Sequence, residues 1–233
     1  MGSKHLILIL LVLFSGVFYY HLTGKASPER TFKVDRVIDG DTIVLVGGRT
    51  LRLKGINAPE KSMPYYKEAK EFVRISTENK TIFVKSSGTD RYGRTLAYVS
   101  SEGRNINREL LVRGLATLFY YDKDKNYERF RRAEEFARIN QNGLWKESPN
   151  KDCLKLVRLK IDEPEELVLQ NSCGKKLKLT IKDDATHIYH EVIPPNANLT
   201  KKSSHIWNNG GDSLYVSDAE GMIIFYRYPG DQQ

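Results

Sequence analysis

Apolar and polar positions alternate from residue 32 onward with the period of short strands. FKVDRVIDGDTIVLV sets Val34, Val37, Ile43 and Leu45 around a turn at Asp39-Gly40, and predicts two strands. Gly47-Gly48 is a hairpin signal leading into RTLRLKGI, where Leu51 and Leu53 continue the pattern. The period then lengthens. SMPYYKEAKEFVRISTEN places Ala69, Phe72, Val73 and Ser76 at helical spacing, with Pro64 near its start. TIFVKSS and TLAYVSS are strands separated by the turn Asp90-Arg91-Tyr92-Gly93-Arg94. Asn105 can cap a helix holding Ile106, Leu110 and Leu111 that Gly114 ends. A last helix, roughly 126 to 142, aligns Tyr127, Phe130, Ala133 and Ala137 before Gly143. Five strands with inserted and trailing helices suit a small barrel packed by helices.

ESPNKD at 147–152 reads as a linker. Beyond it helical periodicity stops. LKLVRLKI, EELVLQNS, KKLKLTIKD, DSLYVSD and MIIFYRY predict strands, separated by turns such as Asn208-Asn-Gly-Gly211. That pattern favours a β-sandwich over a second helical unit.

Composition sharpens this division. The chain has 233 residues and a net charge of +8. Residues 31–149 carry 23 Lys and Arg against 16 Asp and Glu, while residues 150–233 carry 11 against 12. The basic surplus therefore belongs to the predicted barrel, as a polyanion-binding surface would require. Arg129, Arg131, Arg132 and Arg138 lie among Glu128, Glu134 and Glu135, which reads as a solvated helix face. At the N-terminus, Lys4 precedes an apolar run from Leu6 to Leu22, long for a signal-peptide core and slightly short for a membrane span. Residues 1–26 are expected to be a signal peptide or an uncleaved anchor. Either places the globular part outside the cytoplasm, anchored or secreted. Cys153 and Cys173 can form one disulfide in an exported protein.

Polar groups gather at the turns of the predicted barrel: Asp41 after Asp39-Gly40, Arg52 on a strand, Asn57 and Glu60 around Pro59, and Arg94 closing DRYGR. Two arginines and several oxygen ligands are what phosphodiester cleavage needs. A hard cation takes carboxylate, amide and main-chain oxygens, guanidinium groups hold phosphate oxygens, and a further carboxylate orients or deprotonates water. Each residue also has a plainer reading, as a turn former, a local cap or a surface charge.

VIDGDTIVL, TLRLKGINAPE, TDRYGRTLAYV, INRELLVRGLATLFYY and a helix ending NGLW occur in order over about residues 32–145. In these motifs the chain resembles the staphylococcal nuclease (thermonuclease) family. The resemblance implies an OB-fold barrel over residues 31–147 and calcium-dependent hydrolysis of DNA and RNA. It implies Arg52, Glu60 and Arg94 as catalytic residues. It implies Asp41, Asn57 and the main-chain carbonyl of Ala58 as calcium ligands. Arg91, Tyr92 and Tyr120 would contact the nucleotide. The family more often has a GxDxPE turn, with a carboxylate where Asn57 stands and Thr where Ala58 stands. Asn57 removes one negative charge, so weaker calcium binding is expected. The alternative is a surface nucleic-acid-binding protein without turnover.

SHIWNNGGDSLYVSDAEGMIIFYRY resembles the lamin-tail family through Trp207, Asn208, Gly211, Asp212, Leu214, Tyr215, Asp218 and Gly221. This implies an immunoglobulin-like sandwich over about residues 153–230, serving as a binding or positioning module for a partner of its own. Trp207 is expected to be buried in it. His187 and His190 sit three apart, and strand alternation would turn them to opposite faces. The whole chain is thus expected to be mainly β with helices.

Overall fold

The computed structural model describes residues 30–120, 123–185, 187–209 and 211–229, and the expected N-terminal anchor or signal lies outside them. The first half comprises β1 (Arg30–Val37), β2 (Thr42–Leu45), β3 (Thr50–Leu53), β4 (Ile56–Asn57), α1 (Tyr66–Thr77), β5 (Thr81–Thr89), β6 (Thr95–Ser101), β7 (Arg104–Asn105), α2 (Ile106–Val112), β8 (Thr117–Leu118) and α3 (Tyr127–Ile139). Strands β3, β2, β1, β5 and β6 pair in that order, and a parallel pairing of β3 with β6 closes the ring. The result is a closed five-strand barrel consistent with an OB-fold.

Alternation decides what fills it. Val34, Ile43, Leu45, Leu51, Leu53, Ile82, Val84 and Val99 point inward into one core with Leu110, Leu111 and Phe130 from the helices. Each such side chain contributes about 1.5–3 kcal/mol by leaving water. Helix α1 buries Ala69 and Val73 on one face. It lies against the turn at Gly40, where an added Cβ would sit 2.7 Å from Ala58 Cβ and 2.8 Å from Ala69 Cβ. Glycine there lets the turn bearing Asp41 approach Ala58. Asn105 caps α2, its side chain accepting from Arg108 N at 2.8 Å.

The second half comprises β9 (Leu154–Lys160), β10 (Glu165–Asn171), β11 (Leu177–Lys182), β12 (Ile188–Ile193), β13 (Asn198–Ser203), β14 (Gly211–Ser217) and β15 (Met222–Pro229). They form a sheet β13-β10-β9 and a sheet β12-β11-β14-β15, and every pairing within them is antiparallel. Both sheets feed one core built on Leu167, Leu169, Ile181, Leu214 and Val216, with Trp207 buried in it. Cys153 and Cys173 are disulfide-bonded. Two strands, β12 and β13, were not expected from the sequence. Both are sheet edges: β13, NLTKKS, is mostly polar, and the apolar residues of β12, IYHEVI, do not alternate.

The expected linker is not a free tether. Met222 N donates to Lys146 O at 2.8 Å, and Ser148 N donates to Met222 O at 2.9 Å. Ser148 Oγ and Asn150 Nδ2 both donate to Asp218 Oδ2 at 2.7 Å. Trp145, Tyr215 and Phe225 pack on one another, with Ala137 of α3 buried among them. Strand β15 is thereby held against the end of the barrel.

Candidate active site

The β2–β3 hairpin sets Thr42 opposite Arg52, so the strand that follows the Asp39-Gly40 turn carries Asp41 to the Arg52 guanidinium. Asp41 Oδ2 lies 3.1 Å from Arg52 Nη2 and accepts from Ala58 N at 2.8 Å. Arg52 Nη2 also donates to Asn57 Oδ1 at 3.0 Å, while Nη1 donates to the carbonyls of Leu53 and Ile56 at 2.8 and 2.9 Å. Burial pushes the Asp41 carboxyl up to about 6, against the pull of Arg52 and with a further push from Asp39. The Asp41 and Asn57 oxygens thus already face a positive charge.

Arg94 joins this group through a hydroxyl. Its Nη1 reaches Thr42 Oγ1 at 3.5 Å, and Thr42 Oγ1 donates to Asp41 Oδ1 at 3.1 Å. Asp90 aims it, accepting from Arg94 Nε at 2.7 Å. Glu60, one residue past Pro59, is exposed, and its carboxylate accepts no hydrogen bond among the described residues. Arg91 and Tyr92 lie exposed on the β5–β6 turn, with Arg91 Nη2 2.7 Å from the Tyr92 hydroxyl and the Arg94 guanidinium 5.5 Å from the Tyr92 ring. Tyr120 is placed differently. Its ring lies under Gly55, where a Cβ would come within 2.6 Å of the hydroxyl, and that hydroxyl meets Tyr98 at 3.1 Å. Burial pushes the Tyr120 hydroxyl upward, so it serves as a neutral partner.

No motif or spacing pointed to the next contact. Asn57 Nδ2 donates to the carbonyls of Asp184 and Ala185 at 3.1 and 2.9 Å, reaching the turn after β11. The Asp184 side chain accepts from Tyr215 Oη at 2.6 Å and Ser213 Oγ at 3.1 Å, and lies 3.7 Å from Arg227. Arg227 in turn pairs with the buried Glu134 of α3, whose Oε1 accepts from Leu118 N at 2.7 Å. Because β8 pairs with β4, that chain of contacts returns to Asn57. Nothing in KDDATH marks it as reaching a residue more than a hundred positions earlier; only folding brings the two together.

The donor chemistry at Asp41, Asn57 and the Ala58 carbonyl fits a hard cation, with one carboxylate where a tight site has several. Among the described residues, no three His, Cys, Asp or Glu side chains converge to hold a metal. His187 Nδ1 hydrogen-bonds Asp183 Oδ2 at 2.6 Å, whereas His190 meets the Thr180 hydroxyl.

Residues 50–147 match the family described as staphylococcal nuclease homologue. The thermonuclease of Staphylococcus hyicus is 36% identical over 131 residues, covering 51% of this chain and 78% of that protein. The chain belongs to the staphylococcal nuclease family. An uncharacterized endonuclease of Haemophilus influenzae is 33% identical over 129 residues, covering 53% of this chain and 71% of its own length. Endonuclease YhcR of Bacillus subtilis is 33% identical over 146 residues but is much longer, with 12% of its length aligned. The staphylococcal nuclease match ends at residue 147, before β9.

Proposed function

We propose that this protein is a calcium-dependent nuclease that hydrolyses phosphodiester bonds of DNA and RNA. The observation that carries the reading is the convergence of Asp41, Arg52 and Asn57 on one another, with Arg94 joined through Thr42. Asp41, Asn57 Oδ1 and the Ala58 carbonyl would hold calcium. When bound, calcium neutralises phosphate charge and acidifies a water. Arg52 exchanges its Nη2 contacts for a phosphate oxygen, while Nη1 keeps the Leu53 and Ile56 carbonyls and so fixes the fork. Arg94, aimed by Asp90, takes a second oxygen. Glu60, free of competing hydrogen bonds, orients or deprotonates the attacking water. Arg91 and Tyr92 offer an exposed cation and ring to the neighbouring nucleotide.

The apolar N-terminal run is read as carrying the protein across the membrane, as an anchor or as a cleaved signal, and the Cys153–Cys173 bond suits an oxidising exterior. The C-terminal sheets are read as a lamin-tail-like, immunoglobulin-like module of roughly residues 153–230. Incubating the protein with single-stranded DNA, in calcium or in chelator, tests the catalytic reading. Calcium-dependent cleavage is expected. Tight binding without cleavage in calcium would instead support a non-catalytic nucleic-acid-binding protein.

A further inference from the structure

Lys182, the last residue of β11, is 7% exposed. Its ammonium donates to the Asp183 carbonyl at 2.6 Å and sits 5.3 Å from the centre of the Tyr215 ring, yet it forms no ion pair with any carboxylate among the described residues. Asp183, Asp184, Asp212 and Glu60 all act on it through their charge without closing on it. A buried cation normally has a counter-ion, because desolvation alone penalises it. Lys182 opens instead on a cavity of about 530 Å³ between the two halves, bounded by Asn57, Ala58 and Pro59 on the barrel side and by Thr180 and Ser217 on the other, with Lys146 and the carboxylates of Asp218 and Glu220 also in its wall. Met63 and Tyr65 give the same cavity an apolar wall. That volume falls in the range of about 300–1,000 Å³ that holds small ligands.

We propose that this cavity is a phosphate-binding subsite for the nucleic-acid strand and that Lys182, supplied by the C-terminal sheets, is its phosphate ligand. A phosphodiester supplies the direct anionic contact that the surrounding carboxylates do not make with Lys182, the Thr180 and Ser217 hydroxyls can donate to its oxygens, and Tyr65 offers a face to the adjoining base. The wall shared through Asn57-Ala58-Pro59 puts the subsite next to Glu60, so it would hold a phosphate beside the scissile one. The assignment rests on the nuclease reading for its substrate, but not on turnover for its test.

The full protein is titrated in chelator with a fluorescently labelled single-stranded oligothymidylate at several salt concentrations. Lys182→Met is expected to weaken binding roughly ten-fold and to lower the slope of log affinity against log salt by about 0.7, the loss of one phosphate contact. Lys182→Arg is expected to keep the slope, which a purely structural role for the side chain does not predict. Ala219→Trp, placed on an exposed turn that lines the cavity, is expected to weaken binding by filling it. An unchanged slope in folded Lys182→Met overturns the subsite; if that variant loses its fold, normal binding by Ala219→Trp overturns it. Wild-type protein that binds with the Lys182-dependent slope yet never cleaves sinks the nuclease reading and leaves the subsite standing.

Discussion

In the barrel, Arg52 commits its guanidinium to four oxygens of its own surroundings while Glu60 stands exposed, with no hydrogen bond to its carboxylate among the described residues. In the C-terminal sheets several polar groups instead face across a boundary: Arg227 toward Glu134, the carbonyls of Asp184 and Ala185 toward Asn57, and Lys182 toward a cavity walled by both halves. Glu60 apart, the charges of the barrel's candidate site are thus paired within the barrel, whereas its buried Glu134 is paired across the boundary. Arg227 finds Glu134, and Lys182 its cavity, only with the barrel docked. The difference separates residues whose loss should cost chemistry from residues whose loss should cost assembly.

The sharpest break in this comparison is expected at Glu60. Because its carboxylate is exposed and accepts no hydrogen bond among the described residues, Glu60→Ala should reduce cleavage by about 10²–10⁴-fold with unfolding unchanged, measured by single-turnover assay beside urea denaturation. An unaffected rate would remove Glu60 from the chemistry. Arg52→Ala is expected to differ in kind. It leaves Asp41 buried without its cation, so it should lose both cleavage and about 3–5 kcal/mol of stability.

Across the boundary the order reverses. Arg227→Met leaves Glu134 buried and unpaired, with an expected cost of about 3–5 kcal/mol, and the double variant with Glu134→Met should recover part of it. The recovery is bounded, because Glu134 also caps Leu118 N. Additive losses in that cycle would show that the two halves are not energetically coupled through this pair. Replacing Cys153 and Cys173 together by Ser should cost about 3 kcal/mol, given their separation of 20 residues, and should act on the second unit. Hydrogen exchange resolves where the loss falls; equal loss of protection in the barrel would contradict that confinement.

The barrel was readable in the sequence because strands such as β3 and β5 and the helices α1 and α3 each bury one face. Period-two runs such as TIFVKSS and the period of about 3.6 in α1 survive as visible patterns. The turn after β3 was readable for another reason, since Gly55 and Pro59 fix the backbone that brings Asn57 back to Arg52. Strand β13 was hidden because NLTKKS carries a single apolar side chain, and β12 because the apolar residues of IYHEVI fall in adjacent pairs rather than alternating. The contacts of Asn57 and Lys182 were hidden for a deeper reason. They belong to no local pattern and arise only when β15 pairs with the segment after Trp145.

Asn57 carries the smallest expected effect and the one that bears on both halves. Its amide does two jobs that a carboxylate cannot do together: Oδ1 accepts from Arg52, and Nδ2 donates to two carbonyls of the opposing turn. Asn57→Asp would keep the first contact and set an anion against the Asp184 and Ala185 carbonyl oxygens, leaving acceptors facing acceptors. In chelator the variant should therefore lose about 1–3 kcal/mol, with faster hydrogen exchange at residues 182–185. The added charge should also shift the calcium midpoint for cleavage to lower concentration. If exchange rates and calcium midpoints both match wild type, the amide is neither a docking contact nor the cause of a weaker metal site. If only the midpoint moves, the amide affects the metal face alone and the docked arrangement stands on Arg227 and the aromatic packing.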